Sequence, residues 1–197
     1  EMLAANAVKV VELGAPAVDL NFGCPAKTVN RHRGGSVLLD EPETVHQLVK
    51  AVRDAVPSHI PVSAKMRLGY LDENHTLDNA HAIEDAGANW LTVHARTKAD
   101  GYTPPAYWEK LPAVREAVSM PLIANGEIWT VEDAARCQEM SGCIDLMLGR
   151  GAVTRPDLVN RIRGQEGIDW TTLLKLQLDF LNSPTKTDLG LVGRYKQ

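Results

Sequence analysis

Short apolar runs and helical periodicities alternate along this chain. Residues 17–21, 61–67, 90–94, 121–125 and 144–148 are brief, apolar and flanked by Gly or Pro, the pattern of buried strands. Between them the apolar positions move to helical spacing. Pro42 opens a helix predicted over 43–55, with Val45, Leu48, Val49 and Val52 on one face. Further helices are predicted over 76–86, 112–118 and 130–140, the last started by a capping-box-like Thr130…Asp133 pair. Residues 1–13 read as another helix, ended by Gly14. A helix in every strand-to-strand step of roughly 25–45 residues is the signature of βα units and a parallel sheet.

Five strands are visible, whereas a closed (β/α)8 TIM barrel needs eight and about 250 residues. The economical reading of 197 residues starting on Glu1 is an α/β barrel fragment lacking its first three βα units. A complete open sheet of flavodoxin or Rossmann type is the competitor. No Gly-x-Gly-x-x-Gly follows a first strand, which counts against the Rossmann form. From Trp170 the spacing of Leu173, Leu174, Leu176, Leu178 and Leu181 gives a strongly apolar helix, broken at Ser183-Pro184. The expected division is therefore a partial barrel over 1–167 and the start of a helical domain over 168–197.

In such a barrel the chemistry sits at the C-terminal ends of the strands. Asn21, Gly23, Cys24 and Pro25 close the first strand. On this alone the Cys24 thiol is as readily a buried strand-end cysteine as a reactive one. The second strand ends in Lys65 and Arg67, and the third in His94, Arg96 and Lys98. Asn125, Gly126 and Glu127 end the fourth, and Gly149 and Arg150 the fifth. Five polar ends on one face of a parallel sheet make a site. Gly126, Gly149 and Gly151 let backbone amides approach a phosphate, and Arg150 offers it a fork of donors. The alternative for Gly149-Arg150-Gly151 is a plain strand-to-helix turn. Lys65 on a buried strand calls for an anionic or electron-rich partner, such as a reduced flavin ring.

Composition narrows the class. Hydrophobic content of 44% and charged content of 23% suit a water-soluble globular protein. No apolar run approaches the roughly 18 residues a membrane span needs. Cys24, Cys137 and Cys143 are too few for a disulfide framework and have no partners at ligand spacing, so no metal is expected, and a reducing cytoplasm fits. A formal net charge of −4 argues against a general nucleic-acid coat. Two basic patches stand out locally. Lys27, Arg31, His32 and Arg33 lie in a window without acids between Asp19 and Asp40, and Lys186, Arg194 and Lys196 lie near the end.

Taken together, Asp19-Leu20-Asn21-Phe22-Gly23-Cys24-Pro25, Lys65-Met66-Arg67-Leu68-Gly69, Val93-His94-Ala95-Arg96-Thr97, Ala124-Asn125-Gly126-Glu127-Ile128 and Gly149-Arg150-Gly151-Ala152 resemble the tRNA-dihydrouridine synthases, in order and over nearly the whole chain. Cys24-Pro25-Ala26-Lys27-Thr28-Val29-Asn30, Arg96-Thr97-Lys98 and Glu127-Ile128-Trp129 are most similar to the bacterial C type, which acts on uridine 16 of the D-loop. The resemblance implies FMN-dependent reduction of one tRNA uridine to dihydrouridine, with NADPH as electron donor, by an enzyme that is monomeric at full length. It implies Cys24 as proton donor to the uracil; an unperturbed thiol, with a pKa of about 8.5, is mostly protonated at neutral pH. It implies Lys65, Asn125, Gly126, Glu127, Gly149 and Arg150 as FMN ligands, and His94 close to flavin or substrate. Asn21 is implied as a contact to the flipped uracil, and Tyr102, Arg194 and Lys196 as tRNA contacts. Two other readings stay open at this point: an FMN barrel oxidoreductase acting on a free pyrimidine, and a catalytically silent RNA-binding module on the same fold.

Overall fold

The computed structural model describes residues 1–182. Strands β1 (Val18–Phe22), β2 (Val62–Arg67), β3 (Leu91–His94), β4 (Leu122–Asn125) and β5 (Asp145–Met147) form one parallel sheet in chain order. Helices α1 (Met2–Glu12), α2 (Lys27–Arg31), α3 (Pro42–Ala55), α4 (Thr76–Asp85), α5 (Leu111–Ala117), α6 (Val131–Ser141), α7 (Arg150–Thr154), α8 (Leu158–Ile162) and α9 (Trp170–Asn182) accompany it, with 3-10 helices at Gly35–Asp40 and Trp108–Lys110. Helices joining parallel strands in order give the α/β architecture that the sequence predicts, a partial (β/α)8 barrel.

The sheet has one apolar and one polar face. Asn21 pairs with Lys65 and Lys65 with Thr92; one step on, Arg67 pairs with His94, His94 with Asn125 and Asn125 with Met147. Side chains in register point the same way and alternate along a strand. One face therefore carries Asp19, Asn21, Ser63, Lys65, Arg67, Thr92, His94, Asn125 and Asp145, with Ile123 and Met147 as its apolar members. The other carries Leu20, Phe22, Val62, Ala64, Met66, Leu91, Val93, Leu122 and Ala124, all buried. Ser63 Oγ donates to Asp19 Oδ1 at 2.7 Å on the polar face.

Helix α3 starts at Pro42, whose fixed φ suits a first helical turn and whose missing N–H costs nothing there. It buries Val45, Val49 and Val52 completely, at about 1.5–3 kcal/mol each, and packs against α1 and α4. The capping box at α6 is present: Thr130 N–H donates to Asp133 Oδ2 at 3.1 Å, and Asp133 N–H to Thr130 Oγ1 at 3.0 Å.

The described residues divide into two compact units. Residues 1–126 with 137–147 hold the whole sheet; 127–136 with the described residues from Leu148 onward form the other. In the second unit Asp157, 3% exposed, accepts from Arg155 Nε, Arg161 Nε and the Ile168 N–H at 2.6–3.1 Å. Leu173 of α9 is buried, while Trp170, Leu174, Leu176, Leu178 and Phe180 are exposed. No helix among the described residues is long and apolar enough to cross a membrane.

The structure adds elements in two stretches that the sequence pattern leaves unassigned and departs from it in one place. The stretch after Cys24 is ordered by α2 and a 3-10 helix. Helices α7 and α8 occupy 150–162. Ile144, expected inside the fifth strand, lies outside β5 and is 84% exposed.

Candidate active site

Strand β1 ends on Asn21 and Phe22, and the chain turns at Gly23. Asn21 Oδ1 accepts the Gly23 N–H at 2.8 Å, an Asx-type turn that fixes the carboxamide. Its Nδ2 makes no hydrogen bond among the described residues. Cys24 follows, half-buried and free of any disulfide. Its carbonyl accepts from Asn30 Nδ2 at 3.0 Å, Ser36 N–H at 3.0 Å and Ser36 Oγ at 2.9 Å.

Lys65 lies beside Asn21 on the polar face. Burial, and next the neighbouring Arg67 charge, bring its amine down to about 8, against the opposing pull of Asp19. Among the described residues its Nζ has no hydrogen-bond acceptor, and the buried Oγ1 of Thr92, its neighbour in register, has no partner either. A lysine normally titrating at 10.5 but near 8 when folded binds fewer protons in the native state. Its cost is complete below pH 8 and is lifted as pH rises from 8 to 10.5. Lys65→Met is therefore expected to stabilise the ligand-free chain at pH 7 by at most about 3 kcal/mol in urea unfolding. The gain should shrink towards pH 10.5; a difference that stays constant across that range would refute the assignment.

Arg67 is 2% exposed and is spent on the backbone. Its Nε donates to Gly23 O at 3.0 Å, and its NH1 to Thr97 O at 2.8 Å and Gly101 O at 3.0 Å. Burial lowers its pKa, with Tyr102 opposing. Arg96, fully buried, donates from NH1 to Thr103 O at 2.7 Å and from Nε to His94 Nε2 at 3.2 Å. As an acceptor, Nε2 carries no proton, which assigns the neutral His94 proton to Nδ1. The two arginines thus hold residues 97–103, the segment that presents Tyr102. That ring is 54% exposed, stands edge-on to His94 at 6.4 Å and lies 5.3 Å from the Arg67 guanidinium.

At the end of β4, Asn125 Nδ2 donates to Met147 O at 2.8 Å. Gly126 has φ +125°, and an added Cβ would meet Ala106 Cβ at 3.2 Å and His94 at 3.5 Å. The first unit therefore brings Asn21, Lys65, His94 and Asn125 to one polar sheet face, with Cys24, Gly126 and Tyr102 in the segments that follow those strand ends.

The second unit holds the remaining described candidates. Arg150 NH2 meets Glu127 Oε1 at 2.7 Å, and its guanidinium stacks 5.0 Å from the Trp129 ring. Trp129 Nε1 donates to Glu127 Oε2 at 2.9 Å. Glu127 has φ +53°, an uncommon conformation for a non-glycine residue. A Cβ on Gly149 would meet nothing within 4 Å, whereas one on Gly151 would sit 2.1 Å from Ile128 O. Arg194 and Lys196 lie outside the described residues.

The dihydrouridine synthase family model matches residues 1–174. This chain belongs to that family. It is 57% identical over 173 residues to the tRNA-dihydrouridine(16) synthase of Pseudomonas syringae pv. tomato, covering 86% of this chain and 55% of that protein. Against the enzyme of the same name from Shewanella oneidensis it is 51% identical over 179 residues, with 90% and 57% covered. The chain thus spans about half the length of the curated relatives it matches. Among solved structures, a putative dihydrodipicolinate synthase family protein from Coccidioides immitis superposes with a TM-score of 0.61 at 16% identity, covering 83% of this chain and 50% of that one. A dihydrodipicolinate synthase from Agrobacterium tumefaciens gives 0.60, also at 16% identity, with 85% and 55% covered. At that identity the likeness is one of fold.

Asn30, Ser36, Arg67 and Arg96 organise this region, and the sequence offers the two arginines only as strand-end cations of the site. A cation at a strand end signals Arg67 and Arg96, but not their acceptors: Thr97 O and Gly101 O lie 30 and 34 residues from Arg67, and Thr103 O lies 7 residues from Arg96. Nothing local marks Asn30 or Ser36.

Proposed function

We propose that this chain carries the catalytic face of a cytoplasmic enzyme that reduces uridine 16 of tRNA to 5,6-dihydrouridine, with FMN as cofactor and NADPH as electron source. The observation that carries the reading is the polar sheet face, where Asn21 and Lys65 form one row, His94 and Asn125 the next row on the same face, and Cys24 follows β1. Family membership and the names of the relatives supply the substrate class.

The donor set suits a flavin. Lys65 is a half-buried amine without an acceptor among the described residues, as an electron-rich ring edge requires. Asn125, Gly126 and His94 would line the same face; Glu127, Gly149 and Arg150 are proposed as further FMN ligands on the family resemblance alone. When bound and reduced at the expense of NADPH, FMN would supply the hydride needed at C6 of the uracil. The Cys24 thiol gives its proton to C5, so that two hydrogens cross the double bond, and the thiolate takes a proton back from solvent. Asn21, its Oδ1 committed to Gly23, turns its Nδ2 donor to a carbonyl of the extruded base. Tyr102, exposed and braced by Arg67, is a stacking surface for the RNA. The segment from residue 168, with its exposed apolar α9 face, is read as the start of a helical tRNA-binding domain, to which Arg194 and Lys196 would contribute.

Mass spectrometry of tRNA from cells lacking the gene tests this. Uridine 16 should lose its two added hydrogens and regain them when the gene is restored. A position that stays saturated in the deletion strain refutes the reading.

A further inference from the structure

We infer that Asn30 and Ser36 are positioning residues that lock the Cys24 peptide and thereby aim its thiol. The inference rests on the reading of Cys24 as proton donor. Three donors crowd one carbonyl, Cys24 O, and saturate its two lone pairs: Asn30 Nδ2, Ser36 N–H and Ser36 Oγ, all at 2.9–3.0 Å. The donors are themselves held. Asn30 Nδ2 also donates to Gly34 O at 2.8 Å, and Asn30 Oδ1 lies 3.2 Å from Ser36 Oγ. Asn30 is 8% exposed and Ser36 fully buried, so little water competes for these bonds.

The approach depends on Gly35. Its φ is +66°, and a Cβ there would sit 2.7 Å from Cys24 O and 2.9 Å from Cys24 Cβ. Glycine alone lets the segment after α2 fold back onto the cysteine. The other flank of Cys24 is tied as well, since Gly23 donates to Asn21 Oδ1 and accepts from Arg67 Nε. With both neighbouring peptides fixed, the Cα–Cβ bond of Cys24 has one direction, and rotation about χ1 is the remaining freedom of the sulfur. Proton delivery to a carbon atom is sensitive to that aim, because a misplacement of about 1 Å costs on the order of a hundredfold.

Ser36→Ala removes one donor, and Asn30→Asp replaces the amide donor with an oxygen while keeping the shape. In the flavin-loaded enzyme both should slow the uridine-reduction step of a single turnover by on the order of 10- to 100-fold. Flavin reduction by NADPH and the KM for tRNA should stay within about twofold. Iodoacetamide should alkylate Cys24 several-fold faster in both variants, roughly in step with the loosened loop, while Cys137 and Cys143, 0% and 3% exposed, stay protected and report that the fold is intact. In a Cys24→Ala background neither substitution should slow uridine reduction further. Unchanged turnover with unchanged alkylation overturns the inference. So does an equal loss in both half-reactions accompanied by alkylation of Cys137 and Cys143, which marks a purely structural role. A native rate in Cys24→Ala alone refutes the proton-donor reading instead, and the alkylation rate then judges the lock by itself.

Discussion

Cys24→Ala in the flavin-loaded enzyme is expected to lower uridine reduction by about 10²- to 10⁴-fold, the usual contribution of a positioned general acid, while NADPH reduces the flavin at the native rate. Rapid-mixing absorbance separates the two half-reactions. The asymmetry is what identifies the role. A thiol that only packed against the cofactor would perturb both halves, and one that bound tRNA would raise KM while sparing the chemical step. Cys24→Ser keeps the size and offers a weaker acid, so it should remain slow. Native-rate uridine reduction in either variant would remove Cys24 from the mechanism.

The second large effect is on stability. Arg67→Ala is expected to cost about 3–5 kcal/mol in urea unfolding, near the top of the range for point substitutions. Three carbonyls, Gly23 O, Thr97 O and Gly101 O, lose a charged donor in a site that is 2% exposed, and a cavity replaces the side chain. Arg67→Lys should recover little, because a single ammonium cannot span acceptors that a planar fork reaches together. A loss below about 1 kcal/mol would mean that water or a shifted loop replaces those bonds.

The strands, the long helices and the polar strand ends were legible in the sequence because each is written locally. Val45, Val49 and Val52 mark one helix face, and Thr130 with Asp133 marks a helix start. Strands β1 and β2 carry an alternation as well, Asp19 and Asn21 against Leu20 and Phe22, and Ser63, Lys65 and Arg67 against Val62, Ala64 and Met66. In β1 that alternation is matched by exposure, whereas in β2 Ser63 and Arg67 are buried too, so polar identity there does not mark a solvent face. The stretch from Lys27 to Asp40 was not legible for a different reason. It has no apolar period, and its order comes from Asn30 and Ser36 reaching back to a carbonyl at position 24. Arg67 was seen as one more strand-end cation facing the site. The structure uses it to satisfy backbone oxygens, and acceptors in the main chain leave no trace in residue identity.

That last point bears on how the loops of this fold can change. In α/β barrels the connections after successive strands commonly vary one at a time on a constant scaffold. Here one guanidinium on β2 joins the turn after β1 to the segment after β3, through Gly23 O on one side and Thr97 O and Gly101 O on the other. The segment is also tied within itself, since Asp100 Oδ2 accepts from Thr97 N–H at 2.8 Å and from Thr97 Oγ1 at 2.7 Å, and Gly101 has φ +61°. Among the side chains between Thr97 and Gly101 only Lys98 and Ala99 therefore stand outside this bond pattern. The number of residues between Thr97 and Gly101 is fixed as well, since an insertion would carry one oxygen out of reach. The segment that presents Tyr102 is thus strict in length and, at Thr97, Asp100 and Gly101, in composition as well, and a transplant of either loop succeeds only when the other keeps its spacing.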